Sequence, residues 1–228
     1  MARPSVKRYL EGTLQKGWLM AERGRPRGFD RAAALRLAME SFWEHGYDGT
    51  SIGDLTARMG IRPPSLYAAF GSKEALFREA VALYEGMEGE PPLQALRDAP
   101  TALAGIEAML RANVRSYTAP GRPKGCMVVL AATTYTPSTE GIRDFLAEQR
   151  RAGIVAVHER LARGQAEGDV PPGADTGALA AYVMSVQYGL SLQARDGATR
   201  AELDTVVDCL LAGWESVVAA RVIGAGTG

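Results

Sequence analysis

One stretch of the chain has a charge pattern suited to binding a polyanion. From Leu55 to Lys73 there is no acidic residue, whereas Arg58, Arg62 and Lys73 are basic. Lys and Arg side chains that contact phosphates release the counterions around a nucleic acid, so such a surface needs positive charge without opposing acids. An ordinary three-helix core would explain the apolar residues of this stretch but not the missing acids.

Other kinds of chemistry lack the residues they require. The two histidines, His45 and His158, are isolated, and no Cys/His pair has the spacing of metal ligands. The sequence has no Gly-rich phosphate loop and no nucleophile in a recognisable setting, so we expect neither an enzyme nor a cofactor. Cys126 and Cys209 are too few for a disulfide framework, which predicts a reducing, cytoplasmic compartment.

The overall composition is that of a globular protein with an uneven charge distribution. Hydrophobic residues make up 46% and charged residues 23% of the 228 positions. No segment approaches the roughly 18 to 20 apolar residues that span a bilayer, so no membrane partner is expected. Residues 1–27 carry seven basic and two acidic side chains, whereas residues 28–90 carry six and ten. The sequence therefore predicts a basic N-terminal arm over residues 1–27, part of which has helical spacing.

Capping residues and glycines divide the following segment into short helices. Helices are predicted over residues 31–45, from Thr50 or Ser51 to Met59, from Pro63 or Pro64 to Phe70, and from Ser72 onward. The second and third of these are joined by residues 60–62, which is the spacing of a helix-turn-helix. In that motif the second helix lies in the major groove of DNA. Residues 28–86 are therefore predicted to form a DNA-binding domain.

The remainder of the chain is also predicted to be helical. Several glycines and prolines predict a linker over residues 87–100. Five helical stretches follow, over residues 101–118, 126–134, 138–167, 175–195 and 199–221, and residues 223–228 form a glycine-rich tail. The predicted fold is all-α, with a three-helix helix-turn-helix domain followed by a larger helical domain over residues 101–222.

Four motifs in the N-terminal domain occur at characteristic intervals. They are G-Y-x-x-T-S at residues 46–51, the turn glycine Gly60, L-Y-x-x-F at residues 66–70 and S-K-E-x-L at residues 72–76. With these motifs, residues 28–85 resemble the N-terminal domain of TetR/AcrR-family transcriptional regulators. The resemblance implies an all-helical homodimer, more often a repressor than an activator, that binds a near-palindromic operator. It also implies that the second domain dimerises and binds a small-molecule effector.

The resemblance assigns residues 62–69 to the recognition helix and its entry. Ser65 and Arg62 are expected to contact base edges, and Tyr67 and Lys73 to contact phosphates. Alternatively, Tyr67 is a core aromatic residue beneath the recognition helix. Either the Thr50 and Ser51 hydroxyls or the backbone N–H groups of the helix that they cap are also expected to contact phosphates. The predicted DNA-binding residues are Arg25, Arg27, Thr50, Ser51, Arg62, Pro63, Pro64, Ser65, Tyr67, Ala68, Ala69 and Lys73. Ala68 and Ala69 depart from larger or polar residues in some family members and offer only apolar contacts, for example to a thymine methyl group.

The basic arm has two interpretations. Residues 23–27, Arg-Gly-Arg-Pro-Arg, place three guanidinium groups on a chain that Gly and Pro keep extended. Such an arm enters a narrow A·T-rich minor groove, where the potential is most negative, or it adds only nonspecific attraction. Because Met20 begins a stretch like a usual family start, residues 1–19 are either an added helix or the result of a start codon placed too early.

The second domain is expected to sense a small, largely apolar or aromatic molecule. Candidate pocket residues are Met109, Asn113, Tyr117, Cys126, Met127, Leu130, Tyr135, Phe145, Met184, Gln187 and Tyr188. Cys126 has two interpretations. A thiol at a helix N-terminus near Lys124 would have a lowered pKa and could sense oxidants or electrophiles, whereas a small apolar residue at the start of a buried helix would only pack.

The last two predicted helices carry apolar residues at helix-pairing spacing. In a dimer of the implied kind they would form a four-helix interface with their counterparts in the partner. The predicted interface residues are Val183, Val186, Leu190, Leu203, Val207, Leu210, Trp214 and Val217.

Overall fold

The computed structural model describes residues 30–222, and its regular elements are helices apart from one isolated bridge between Ala174 and Val222. This confirms the predicted all-α fold. The predicted arm over residues 1–27 and the tail over residues 223–228 lie outside the described residues. The α-helices are α1 (Arg31–His45), α2 (Ile52–Met59), α3 (Pro63–Phe70), α4 (Lys73–Tyr84), α5 (Glu90–Asp98), α6 (Ala102–Tyr117), α7 (Met127–Leu130), α8 (Glu140–Glu167), α9 (Thr176–Arg195) and α10 (Arg200–Ala219).

The helices of the N-terminal domain begin and end at the predicted residues. The Asp30 carboxylate accepts hydrogen bonds from the first turn of α1, and Ser51 and Asp54 form a reciprocal capping box at the start of α2. Gly60 ends α2 with a left-handed backbone, φ = 67°. This conformation turns the chain sharply into α3 and strongly favours glycine.

An aromatic core fixes the two short helices on a larger pair. Phe42 of α1 meets Phe77 of α4 edge to face, with ring centroids 5.0 Å apart, and Tyr47 packs on the same Phe77 ring. Leu55 from α2 and Leu66 from α3 are fully buried in this core. Because each short helix is anchored by its inner apolar side chain, the outer face of α3 is left pointing away from the core.

The prediction of a linker over residues 87–100 is wrong, because the chain is helical as far as Asp98. Helix α4 continues through a π-helical turn, Glu85–Gly89, into α5, which packs along α6. The prolines that suggested a break lie at the start of α5, where a missing N–H costs little. Close packing holds the helix in place: Leu96 is fully buried, and a Cβ at Gly105 would lie only 2.6 Å from the Leu96 carbonyl oxygen.

The second domain is built from the long helices α6, α8, α9 and α10. Helix α9 packs against α8, α6 and α10, and α10 packs against α6. The apolar side chains between these helices include Leu110, Val114, Leu146, Leu161, Leu179 and Leu203, all fully buried. The end of α9 reaches back to the last turn of α1, so the second domain contacts the DNA-binding domain there as well as through the α4–α5 connection.

Candidate nucleic-acid interface

The outer face of α3 is the most distinctive surface of the N-terminal domain. Leu66 and Phe70 point into the core, whereas Arg62, Pro63, Pro64, Tyr67 and Ala68 are exposed and Ser65 and Ala69 are half-buried. The predicted recognition residues therefore lie on one accessible face. Tyr67 is 47% exposed, which excludes the alternative that it is a core aromatic.

Lys73 lies beside this face on an aromatic platform that the sequence analysis did not anticipate. Its Nζ is 4.2 Å from the centroid of the Tyr47 ring. This packing fixes the direction of the side chain, and the partial burial lowers the pKa of Lys73. The Gly46-Tyr47 pair of the first motif was the signal that could have revealed the platform.

The two candidate hydroxyl groups before α2 differ in their availability. Ser51 is exposed, but its hydroxyl bonds the Asp54 carboxylate at 2.6 Å. Thr50 is fully buried, and its hydroxyl donates to the carbonyl oxygens of Gly46 at 2.7 Å and Ser41 at 3.2 Å. The prediction that the Thr50 hydroxyl contacts phosphate is therefore wrong, because that hydroxyl is used to close the turn between α1 and α2.

Much of the basic charge of the described DNA-binding domain is paired internally. Arg31 bonds Glu79, Arg58 bonds Glu40 and Arg78 bonds Glu74. Arg62 is exposed and forms no ion pair with another described residue. Arg62 and Lys73 are thus the described basic residues of the predicted DNA-binding set that form no ion pair, although the carboxylates of Asp48 and Asp54 lie near Lys73.

The predicted pocket residues divide into an inner group and an outer group. The structure buries Met109, Asn113, Tyr117, Cys126, Met127 and Met184, and half-buries Leu130, Gln187 and Tyr188. The Gln187 amide donates to the Tyr117 hydroxyl at 3.1 Å, which joins α9 to α6. Tyr135 is exposed, and Phe145 lies under the Arg78 guanidinium at the boundary with the DNA-binding domain. These two residues do not belong to the inner group.

Cys126 is buried in a polar cradle, and Lys124 is engaged elsewhere. Its side chain lies close to Tyr84 and Tyr117, and its backbone N–H donates to the Ser191 hydroxyl at 2.8 Å. Burial raises the pKa of the Cys126 thiol, which is opposite to the lowered pKa of the sensor interpretation and agrees with the packing interpretation. The Lys124 ammonium donates instead to the carbonyls of Thr118 and Ala119.

Most of the predicted dimer-interface residues pack inside the protomer. The buried members are Val183, Leu190, Leu203, Val207, Leu210 and Trp214, whereas Val186 and Val217 are half-buried. The apolar seam of α9 and α10 thus faces α6 and the protomer core. Those six residues cannot also form a surface between subunits, so the prediction is wrong for them.

A short helix, a tight glycine turn and a second helix with an exposed outer face define a helix-turn-helix DNA-binding regulator. Two family profiles agree with this class. Residues 34–80 match "Bacterial regulatory proteins, tetR family", and residues 102–210 match "Tetracyclin repressor-like, C-terminal domain". The chain belongs to the TetR family of DNA-binding transcriptional regulators, which confirms the resemblance seen in the N-terminal motifs.

Similar proteins extend over nearly the whole chain. The HTH-type transcriptional repressor ComR of Escherichia coli (strain K12) is 32% identical over 86% of this chain and 94% of its own. The repressor BdcR of the same organism is 33% identical over 76% and 83%, respectively. The TetR-family regulator CifR, solved as a cysteine mutant with a 26-base-pair operator duplex, is 48% identical with a TM-score of 0.82. That match covers 84% of this chain and all of the CifR chain.

No helix between residues 30 and 222 combines the length and the apolar character needed to cross a membrane.

Proposed function

We propose that this protein is a homodimeric transcriptional repressor that binds a near-palindromic operator and is released from it by a small, largely apolar or aromatic effector. The observation that carries the proposal is the exposed outer face of α3 next to Arg62 and Lys73. The names of ComR and BdcR support repression, and the CifR structure supports operator binding by this fold.

On this face the roles follow from residue chemistry and position. Arg62 and Ser65 at the start of α3 contact base edges, because the N-terminal residues of a recognition helix point into the major groove. Ala68 offers only a methyl group and suits a thymine methyl. Tyr67 and Lys73, with the first N–H groups of α2 behind Ser51, bind phosphates and set the register.

The arm residues Arg25 and Arg27 add the positive charge that the described part of the domain lacks. Between residues 30 and 84 there are six basic and seven acidic side chains, whereas residues 1–29 carry seven and two. Replacing Arg25 and Arg27 with alanine should weaken binding to A·T-rich flanks more than to G·C-rich flanks if the arm enters the minor groove. An equal loss on both flanks would indicate nonspecific attraction.

The dimer forms through the outer faces of α9 and α10. These faces expose or half-expose small and apolar side chains one or two turns apart: Tyr182, Val186, Gly189, Leu192, Val206, Cys209, Gly213 and Val217. Leu192 is 52% exposed, which is unusual for a leucine on the middle of a helical domain. A two-fold axis through these faces matches the two-fold symmetry of an operator.

The effector site lies among the inner group of pocket residues. Asn113 is buried, and the Gln187 carbonyl oxygen is buried with no hydrogen-bond partner among the described residues. A buried polar group without a partner is costly, so these amides are suitable anchors for a ligand in an otherwise apolar setting. Because the effector acts only through its differential affinity, it must bind the DNA-free arrangement of the dimer more tightly.

A thiol switch at Cys126 is the second candidate mechanism, favoured by one specific observation. The buried thiol lies close to Tyr84 at the end of α4 and to Tyr117 at the end of α6. Oxidation or alkylation would break both contacts at the point where α4 leaves the DNA-binding domain. The raised thiol pKa makes this reaction slow at neutral pH unless a local opening exposes the sulfur.

Fluorescence anisotropy with a duplex selected by the protein from a random library tests the proposed function. We expect tighter binding than to scrambled duplex and a steep decrease in affinity with salt. Lys73→Ala should weaken binding to both duplexes and reduce the salt slope, whereas the matched surface variant Arg163→Ala should not. Ser65→Ala should change base preference at one operator position. Failure to bind any duplex at low salt would exclude the function.

A further inference from the structure

One side chain at the C-terminal end of α9 forms hydrogen bonds with the DNA-binding domain. The Arg195 guanidinium donates to the carbonyl oxygens of Trp43 at 2.7 Å and Glu44 at 2.8 Å, both in the last turn of α1. Its Nε donates to the Lys124 carbonyl oxygen at 2.9 Å. One planar group therefore joins α9 to two other segments of chain, the end of α1, 151 and 152 residues away in sequence, and Lys124, 71 residues away.

The chemistry of this contact differs from an ordinary surface ion pair. Arg195 forms no ion pair with a carboxylate among residues 30–222, and its partners are three neutral carbonyls. The carbonyls of Trp43 and Glu44 are among the four at the end of a helix that have no intrahelical partner. A cation there also meets the negative end of the α1 dipole. The rigid five-donor fork of arginine can satisfy all three oxygens at once, which lysine cannot.

Neighbouring contacts make the junction continuous with the interior of the second domain. Ser191, one turn before Arg195 on α9, accepts a hydrogen bond from the Cys126 backbone N–H at 2.8 Å. The Trp43 indole donates to the Gly125 carbonyl at 2.9 Å, and the Tyr47 N–H donates to the Ala131 carbonyl at 2.8 Å. The end of α1 is thus held by the segment 124–131 and by α9 together.

Two backbone contacts in this junction are close, although an open cavity lined by Glu44, Gly46, Ala131 and Arg195 lies beside them. A Cβ at Gly125 would lie 2.5 Å from the Ser191 carbonyl oxygen, and one at Gly46 would lie 2.9 Å from the Ala131 carbonyl oxygen. Because both approaches are backbone against backbone, α9 packs closely on the segment 124–131, and that segment packs closely on the end of α1. Helix α1 in turn packs on α4 and carries the helix-turn-helix.

We propose that Arg195 is a positioning residue that sets the orientation of the DNA-binding domain relative to the dimerisation helices. The inference rests on the proposed DNA-binding homodimer. In that dimer, α9 belongs to the subunit interface, so Arg195 connects the interface directly to α1 of the same subunit. With the Trp43 and Tyr47 hydrogen bonds, it links the end of α1 to the second domain beside the continuous α4–α5 connection, and these links together fix the separation of the two recognition helices. Without Arg195 the end of α1 keeps the Trp43 and Tyr47 hydrogen bonds to the segment 124–131 but loses its direct hydrogen bonds to α9, so the orientation of the domain is less narrowly defined.

The spacing of the two DNA-binding domains can be measured without DNA. A nitroxide label is attached to the variant Ala57→Cys, at an exposed position on α2, and Cys209→Ser removes the exposed native thiol. Pulsed electron resonance then gives the distribution of distances between the two labels of the dimer. Arg195→Gln should broaden this distribution while helicity and dimer mass stay unchanged. Arg195→Lys, which keeps the charge but not the fork, should give an intermediate width. The matched control is Arg200→Gln, which removes an exposed cation five residues further along the chain.

Affinity for the selected duplex gives the functional readout. We expect Arg195→Gln to weaken it at least about fivefold, the lower end of coupling between linked sites, and Arg200→Gln to leave it within about twofold. Reduced thermal stability alone would not broaden the distances at a temperature where the variant is folded. Unchanged distances for Arg195→Gln would overturn the proposal, whatever the affinity.

Two further outcomes separate the proposals. If the wild-type protein binds no duplex, the proposed function fails, but the distance measurement still decides the role of Arg195. If Arg195→Gln does not fold, amide hydrogen exchange of Arg195→Lys decides whether Arg195 links α9 to α1. Faster exchange of the amides of residues 43–47 with unchanged exchange in α10 supports the link, and unchanged exchange throughout contradicts it.

Discussion

The hydroxyl of Thr50 shows how a residue in a functional motif can serve the fold. It is buried and donates to two carbonyl oxygens that close the turn between α1 and α2. Thr50→Val keeps the shape but removes the donor, so we expect the free energy of unfolding to fall by about 1 to 2 kcal/mol. Urea denaturation measures this change, and Thr133→Val, at an exposed threonine, is the control. If Thr50→Val instead lowered operator affinity without destabilising the protein, the hydroxyl would be a DNA contact.

Glu85 is a half-buried acid whose charge should make the stability depend on pH. It begins the π-helical turn after α4, and burial raises its pKa from 4.5 to about 7. Since the folded-state pKa is the higher one, the stability is fully present below pH about 4.5 and falls as the pH rises through about 7. Glu85→Gln removes this loss. We expect it to gain on the order of 2 kcal/mol over wild type at pH 8 and little at pH 4.5.

Urea denaturation at several pH values measures the Glu85 effect. Glu148→Gln, at an exposed position on α8, is the matched control and should show the same difference from wild type at every pH. A pH-independent difference for Glu85→Gln would show that the carboxyl group is ionised in the folded protein near its ordinary pKa.

The turn between α2 and α3 depends on the backbone conformation of one glycine. Gly60 has φ = 67°, and a Cβ there would meet no atom within 4 Å, so its requirement is conformational and not steric. Gly60→Ala should lower the free energy of unfolding by about 1 to 2 kcal/mol, the cost of a left-handed alanine. Gly141→Ala, also in open space but in a helix with ordinary φ, should be neutral or stabilising. Equal effects of the two substitutions on urea denaturation would contradict this role.

At the scale of elements, local signals predicted the helices and failed where packing decides. Asp30, Ser51, Ser72 and Gly60 act on the nearest turn of chain, so their effect could be predicted without the fold. The glycines and prolines of residues 86–92 are equally local signals, but they are compatible with a π-helical turn and the first turn of a helix. Only the contact of α5 with α6 selects the helix, and no spacing in the sequence reports it.

The candidate site was predictable where a residue faces outward by helical geometry. The exposed side of α3 follows from Leu66 and Phe70 being inside. Other features depend on segments that meet only in the folded chain. They are the burial of Thr50, the contact of Lys73 with the Tyr47 ring and the hydrogen bonds of Arg195 to the end of α1. Likewise, the spacing of the apolar residues on α9 and α10 does not indicate whether they pack against α6 or against a second subunit.

The assembly of the whole molecule gives the sharpest test of the corrected interface. Leu192 on α9 is 52% exposed in the protomer, and Val155 on α8 is 51% exposed. If α9 and α10 form the subunit interface, Leu192→Glu places two carboxylates in a desolvated contact near the two-fold axis, which is strongly unfavourable. We expect the dimer dissociation constant to rise at least about tenfold, or about 1.4 kcal/mol, by sedimentation equilibrium. Val155→Glu introduces the same charge at equal exposure outside the interface and should leave the protein dimeric. A two-fold operator needs both recognition helices. Operator affinity should therefore decrease in Leu192→Glu, which weakens the dimer, and stay unchanged in Val155→Glu. Dissociation caused by Val155→Glu and not by Leu192→Glu would move the interface to α8.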